Sequence, residues 1–250
     1  VLRSYGDSNL FGESYGAGTA RVVWLHGWAR SAGDFAVAAS TLADRGVASV
    51  ALDLPGFGAS PLPEVAGGAR HYAGLVVPAL RSLADEPLVL VGHSFGGTVA
   101  AVVASTHPDA VRSLVLTGAP LIRRASTKKA PFAYRSQRWL HAKGLLSDER
   151  VEAARQKYGS TDYRRAHGLL RDVLVASVNE SYETELATLS LPVDFVWGEL
   201  DGDVPVDVAA RAGELVRGEH TLRVITGVGH MVPLETPDEL VDAVTRALAR

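Results

Sequence analysis

The residues best placed to do chemistry are Gly92-His93-Ser94-Phe95-Gly96-Gly97. A serine hydroxyl becomes a nucleophile when a base takes its proton and N–H groups face the oxyanion that forms. The spacing Gly-x-Ser-x-Gly suits that task. A serine at the apex of a sharp strand-to-helix turn is held in strained dihedrals, and side chains two places to either side would clash. Without supporting elements the same five residues would mean only an ordinary turn. Here Leu88-Val89-Leu90-Val91 reads as a buried strand, and Thr98 to Ala104 reads as a buried helix. That context lifts the Ser94 hydroxyl above the carboxyl ends of the strands. It also aims the N–H of Phe95 and the helix N-terminus at whatever Ser94 attacks.

Serine at neutral pH needs a base, and the base needs an orienting acid. His230 stands in Gly227-Val228-Gly229-His230, just past a predicted strand and before the last helix, which puts it at the same sheet edge as Ser94. His26 and His93 also fall near that edge, each in a tight turn beside a glycine, as structural or pocket-lining residues. His71, His107, His141, His167 and His220 fall in helices or their flanks and read as surface. The acid should follow another strand. Trp197-Gly198-Glu199-Leu200-Asp201-Gly202-Asp203 offers three carboxylates, Asp201 ahead of Asp203 and Glu199. A second oxyanion donor should come from the loop after an early strand, where His26-Gly27-Trp28 stands. Gly27 lets the backbone approach the substrate, the Trp28 N–H points at the oxyanion, and the indole lines the acyl pocket. The expected pocket is therefore His26, Gly27, Trp28 and His93.

These residues need elements to hold them. Predicted strands at Arg21–Leu25, Val47–Leu52, Leu88–Val91, Val111–Thr117, Val193–Trp197 and Leu222–Ile225 alternate with helices at Phe35–Arg45, His71–Leu83 and Pro237–Arg250, the last with Thr236 as its cap. Residues 1–20 read as a weak hairpin. Several of the strands are apolar throughout, which implies a mostly parallel sheet covered by helices on both faces, an α/β fold that binds ligands at the strands' carboxyl ends. Residues 121–189 break the alternation and read as short helices. They form an expected cap inserted into a core of residues 1–120 and 190–250. The cap carries 13 Lys/Arg and 8 Asp/Glu, against 12 and 20 elsewhere. Seven of those basic residues (Arg123, Arg124, Lys128, Lys129, Arg135, Arg138 and Lys143) run without an acidic one. A solvated helical face is the plainer meaning of that run. A positive rim that draws in anionic, carboxylate- or phosphate-bearing substrates is the sharper one.

Composition narrows the classes. The net charge of −3 over 250 residues argues against non-specific nucleic-acid binding. The absence of cysteine excludes a thiol nucleophile, a thiolate metal site and disulfides, and is compatible with the cytoplasm. No apolar run is long enough to span a bilayer. Residues 1–7 carry no signal-peptide core, although the chain does not begin with Met, which leaves a removed leader open.

Taken in order, these motifs make the chain resemble the α/β-hydrolase-fold serine hydrolases with a helical cap. They are His26-Gly27, Asp53-x-x-Gly56-x-Gly58-x-Ser60, Gly92-x-Ser94-x-Gly96-Gly97, Gly198-x-x-Asp201-x-x-Val204-Pro205 and Gly229-His230-x-x-x-x-Glu235-x-Pro237. The resemblance covers nearly the whole chain. It implies a Ser94-Asp201-His230 triad, no cofactor and no metal, and a small-molecule acyl substrate. Similar sequences include carboxylesterases, thioesterases, carbon–carbon hydrolases and cofactor-free perhydrolases. Trp28 resembles the perhydrolases and aryl esterases, whose elbow usually carries Phe and Met where this chain has His93 and Phe95. Dehalogenases and epoxide hydrolases use Asp at the nucleophile, which Ser94 does not match. The expected activity is hydrolysis of a small carboxylic ester through an acyl-enzyme. The alternative from another class is a ligand receptor that keeps the fold and triad but turns over slowly. The oligomeric state is not legible.

Overall fold

The computed structural model describes residues 2–6, 10–123, 136, 139–141, 143–147, 149–150 and 161–250. Eight strands form one sheet: β1 (Leu2–Tyr5), β2 (Leu10–Tyr15), β3 (Val22–Leu25), β4 (Ser49–Leu52), β5 (Leu88–His93), β6 (Val111–Thr117), β7 (Val193–Gly198) and β8 (His220–Ile225). Their spatial order is β1-β2-β4-β3-β5-β6-β7-β8. β1 and β2 are the antiparallel hairpin expected at the N-terminus, and β2 also runs antiparallel to β4. Every other neighbour pair is parallel.

Strands β3, β4, β5 and β7 are buried at every position, as a sheet covered on both faces demands. Alternate side chains then feed two cores. Val23, Leu25, Leu90, Leu116, Phe195 and Trp197 face one layer, with helices α2 (Ala69–Leu83) and α3 (Phe95–Thr106). Val22, Trp24, Val89, Val91, Val115 and Val196 face the other, with α1 (Ala36–Asp44) and the C-terminal helix. Parallel strands with helical crossovers put the loops after β3, β5, β7 and β8 at one edge of the sheet, and those loops carry Trp28, Ser94, Asp201 and His230.

The described part of 121–189 includes the helices α4 (Thr161–Arg165), α5 (Gly168–Asn179) and α6 (Glu183–Leu186). Of the basic run, Arg123 and Lys143 are described, and Arg124, Lys128, Lys129, Arg135 and Arg138 lie outside the described residues. After β7 come α7 (Val206–Leu215), α8 (Val232–Glu235) and α9 (Pro237–Ala249). One expectation is corrected at α9. Thr236 occupies the N-cap position, but its buried hydroxyl makes no capping hydrogen bond. Among the described residues no helix is long and apolar enough to cross a membrane.

Candidate active site

The turn from β5 to α3 has almost no loop. Ser94 sits at its apex with φ 50° and ψ −117°, outside the regions that L-residues favour. Its N–H donates to the Thr117 carbonyl at 2.9 Å, and its own carbonyl accepts from Gly97 and Thr98 N–H. The flanking glycines are required by contact. A methyl at Gly96 would collide with the carbonyl oxygens of Leu25 and His26, and one at Gly92 would fall 2.5 Å from the Gly97 Cα. The Phe95 N–H, the first of the helix, donates to no described residue, and neither does that of Trp28. Free N–H groups at a helix start suit a developing negative charge.

Of the three carboxylates after β7, Asp201 reaches histidine. Its Oδ2 lies 2.8 Å from His230 Nδ1, and its Oδ1 accepts the N–H groups of Asp203 (3.0 Å) and Val204 (2.8 Å). Asp201 is 4% exposed. Asp203 supplies only its N–H to that turn, and Glu199 accepts the Gly227 N–H instead. The Trp197 indole N–H, donating to the Val204 carbonyl at 2.7 Å, anchors the same loop. The histidine loop is shaped by Glu235, whose carboxylate accepts the N–H groups of Gly229 and Met231.

Ser94 and His230 line one cavity of about 440 Å³, within the range of small-molecule sites. Trp28, Phe95, Leu174 and Tyr182 contribute to its wall. Among the described residues none hydrogen-bonds the Ser94 hydroxyl in this conformation. Such contacts often tighten only when substrate binds.

Three of the expected pocket residues do not line this cavity. His26 is fully buried; its Nε2 accepts the Leu54 N–H at 2.9 Å, and its Nδ1–H donates to the Gly27 carbonyl at 2.7 Å. Burial holds its pKa below the ordinary histidine range. His93 is also buried, with its ring centroid 4.8 Å from that of His230. Burial, then the His230 charge, pushes its pKa down to about 3. Gly27 is packed beneath His93 and Ser94, where a methyl would meet both at 3.1–3.2 Å. Trp28 does line the cavity, its ring edge-on to Phe57 (5.0 Å) and Phe95 (5.8 Å).

The Asp53 motif has a scaffolding place that its spacing did not reveal. Asp53 accepts the N–H of Ala32 and of Ala59, and Gly58 packs on its carboxylate where no side chain fits. Asp53 thereby ties the loop after β3 to the loop after β4. Glu180, Tyr182, Arg123 and Asp162 also line the cavity. No motif marks them, since all fall in the irregular stretch between β6 and β7.

The sequence profile of the alpha/beta hydrolase fold family matches residues 20–156, and the chain belongs to that family. A pimeloyl-[acyl-carrier protein] methyl ester esterase of Chromobacterium violaceum is 39% identical over 144 residues, covering 57% of this chain and 50% of that protein. The chain thus spans half the length of that relative. An uncharacterised hydrolase of Bacillus subtilis, YugF, is 25% identical over 92% of this chain and 90% of its own length. Among solved structures, a membrane phospholipase A described as a bacterial virulence factor has a TM-score of 0.75 at 21% identity, covering all of this chain and 86% of its own. A serine hydrolase of carbazole degradation has a TM-score of 0.73 at 20% identity, covering all of this chain and 98% of its own. At those identities the structures speak to the fold. Together with the family match, they agree on an α/β-hydrolase fold for this chain.

Proposed function

We propose that the chain is a serine hydrolase that cleaves a small carboxylic ester or related acyl compound. The observation that carries this reading is Ser94 at a strained elbow, sharing one cavity with a histidine whose Nδ1 is held by a buried aspartate. The methyl ester esterase relative supports the substrate class. In this reading Ser94 Oγ attacks the carbonyl carbon while His230 Nε2 takes its proton. Asp201 fixes the Nδ1–H tautomer and stabilises the imidazolium. The tetrahedral oxyanion accepts the N–H groups of Trp28 and Phe95, each worth on the order of 10²–10³ in rate. Collapse expels the alcohol, which leaves with the proton from His230. Water, deprotonated by the same imidazole, then attacks the acyl-enzyme, and the acid departs with Ser94 regenerated. Helix α5 acts as part of the cap, with Leu174, Ser177 and Val178 on the cavity wall.

The test is turnover of p-nitrophenyl acetate and butyrate, together with fluorophosphonate labelling. Multiple turnovers that vanish in Ser94→Ala, with the label on Ser94, support the reading. Labelling without sustained turnover supports the receptor instead. Acyl transfer to added alcohol or peroxide would redirect it to transfer or perhydrolysis.

A further inference from the structure

Where α5 gives way to α6, Glu180 lines the Ser94 cavity, its side chain one-fifth exposed. A methyl at Gly68 would collide with its carboxylate, so the acid occupies space that glycine leaves. Its Oε2 accepts the Tyr182 hydroxyl at 2.8 Å. Tyr182, 1% exposed, also contacts the Thr98 hydroxyl. Thr98 lies one helical turn, about 5.4 Å along the axis, from Ser94. Glu180 is therefore linked through Tyr182 and Thr98 to the first turn of the elbow helix.

Among the described residues the Glu180 charge is met in part, by the Tyr182 hydroxyl and by one long ion pair. That pair is with Arg70, 3.9 Å away at Nη1. That guanidinium is already engaged by Glu185 at 2.5 and 3.0 Å and by the Ser181 carbonyl at 2.8 Å. The same contacts fix the position of Glu180. Arg70 lies over the Tyr182 ring, the Tyr182 N–H donates to the Leu121 carbonyl, and the Arg123 N–H donates to Ser181 Oγ. Of the described lining, Asp162 and Asp203 add two further carboxylates, against the guanidinium of Arg123. Arg123 is exposed and Glu180 is half-buried, so solvent screens the cation more than the acid.

We infer that Glu180 sets specificity by receiving a cationic group at the far end of the acyl chain, so that the cavity selects ammonium-bearing acyl substrates over anionic ones. The inference rests on the serine-hydrolase reading. A fixed carboxylate in a partly desolvated wall attracts a cation and repels a like charge.

The experiment uses three p-nitrophenyl esters of one tether length. One ends in trimethylammonium, one in its neutral tert-butyl isostere, and one in carboxylate. The readout is the ratio of kcat/KM values within each protein, so that any general loss of activity cancels. The wild type should favour the ammonium ester over the carboxylate ester by about tenfold or more, the scale of a single charged contact. Glu180→Gln should bring that ratio close to one, and Glu180→Lys should invert it. Equal rates on the three esters, or a preference for the carboxylate ester, in the wild type alone would overturn the inference even if neither variant folds. A wild-type preference that survives in folded Glu180→Gln would also overturn it. Failure of the underlying reading looks different: Ser94 would not be labelled and none of the esters would turn over.

Discussion

His230 Nδ1 lies 2.8 Å from Asp201 Oδ2, while the other oxygen of that carboxylate accepts two backbone N–H groups. Asp201 is thus fixed before it fixes the imidazole. Asp201→Asn would keep the loop's shape through its amide oxygen but offer a donor to Nδ1, favouring the wrong tautomer. The expected loss in kcat is about 10⁴. Asp203→Asn changes only a side chain at the cavity wall and should cost far less. Ester hydrolysis by the two variants decides it, and a larger loss in Asp203→Asn would exclude Asp201 as the orienting acid.

Ser94 carries both the proposed chemistry and local strain. Ser94→Ala should lose on the order of 10⁶ in kcat with folding intact. Ser94→Gly should be equally inactive yet more stable than Ser94→Ala, because glycine adopts φ 50° without the steric cost, on the order of 1–3 kcal/mol. Thermal unfolding of the two inactive variants isolates the strain from the catalysis. Equal midpoints would mean that the elbow stores no strain at this residue.

Much of this site was legible because local chemistry dictates it. The apolar run Leu88–Val91, the two elbow glycines and the β6 strand Val111–Thr117 depend on patterns within a few residues. The elbow helix begins at Phe95, three residues ahead of the apolar run from Thr98, because Gly96 and Gly97 are poor helix formers kept for close packing, Gly96 on Leu25 and Gly97 on Ala119 and Gly92. Helix α7 escaped notice since its buried face is mainly small, with Val208, Ala209, Ala212 and Gly213, and gives a weak apolar stripe. Glu180 and Tyr182 could not be found from spacing. The meeting of Tyr182 with Thr98, and of Glu180 with Tyr182, depends on a tertiary contact that brings the segment after α5 back to α3.

His93 should make the protein's stability sensitive to acid. Its folded pKa is pushed down to about 3, while the unfolded side chain titrates near 6.5. Between those values the unfolded chain binds the extra proton, so this group's stability is fully present above pH 6.5 and is lost as pH falls toward 3. A non-titrating replacement, His93→Phe, should flatten the acid limb of stability relative to wild type, whatever its effect at neutral pH. Urea midpoints between about pH 4 and pH 8 measure that slope. An unchanged slope would show that His93 is not the group responsible.

His26 separates a pocket residue from one that shapes the backbone. Its two ring nitrogens join the Leu54 N–H to the Gly27 carbonyl, and the next peptide N–H belongs to Trp28. His26→Ala removes both bonds and leaves the Leu54 N–H buried without its acceptor. The Gly27 carbonyl then keeps only the longer bond from the Arg30 N–H at 3.3 Å, so the Gly27–Trp28 peptide is held less firmly and the second proposed oxyanion donor should lose its aim. Because that donor acts on the transition state, kcat should fall while KM changes little. The ceiling is the cost of one oxyanion donor, about 10²–10³. A pocket-lining histidine would behave differently, raising KM in a manner that depends on acyl chain length. Steady-state kinetics of His26→Ala on p-nitrophenyl acetate and butyrate distinguish the two. A chain-length-dependent rise in KM with kcat preserved would put His26 back among the substrate contacts.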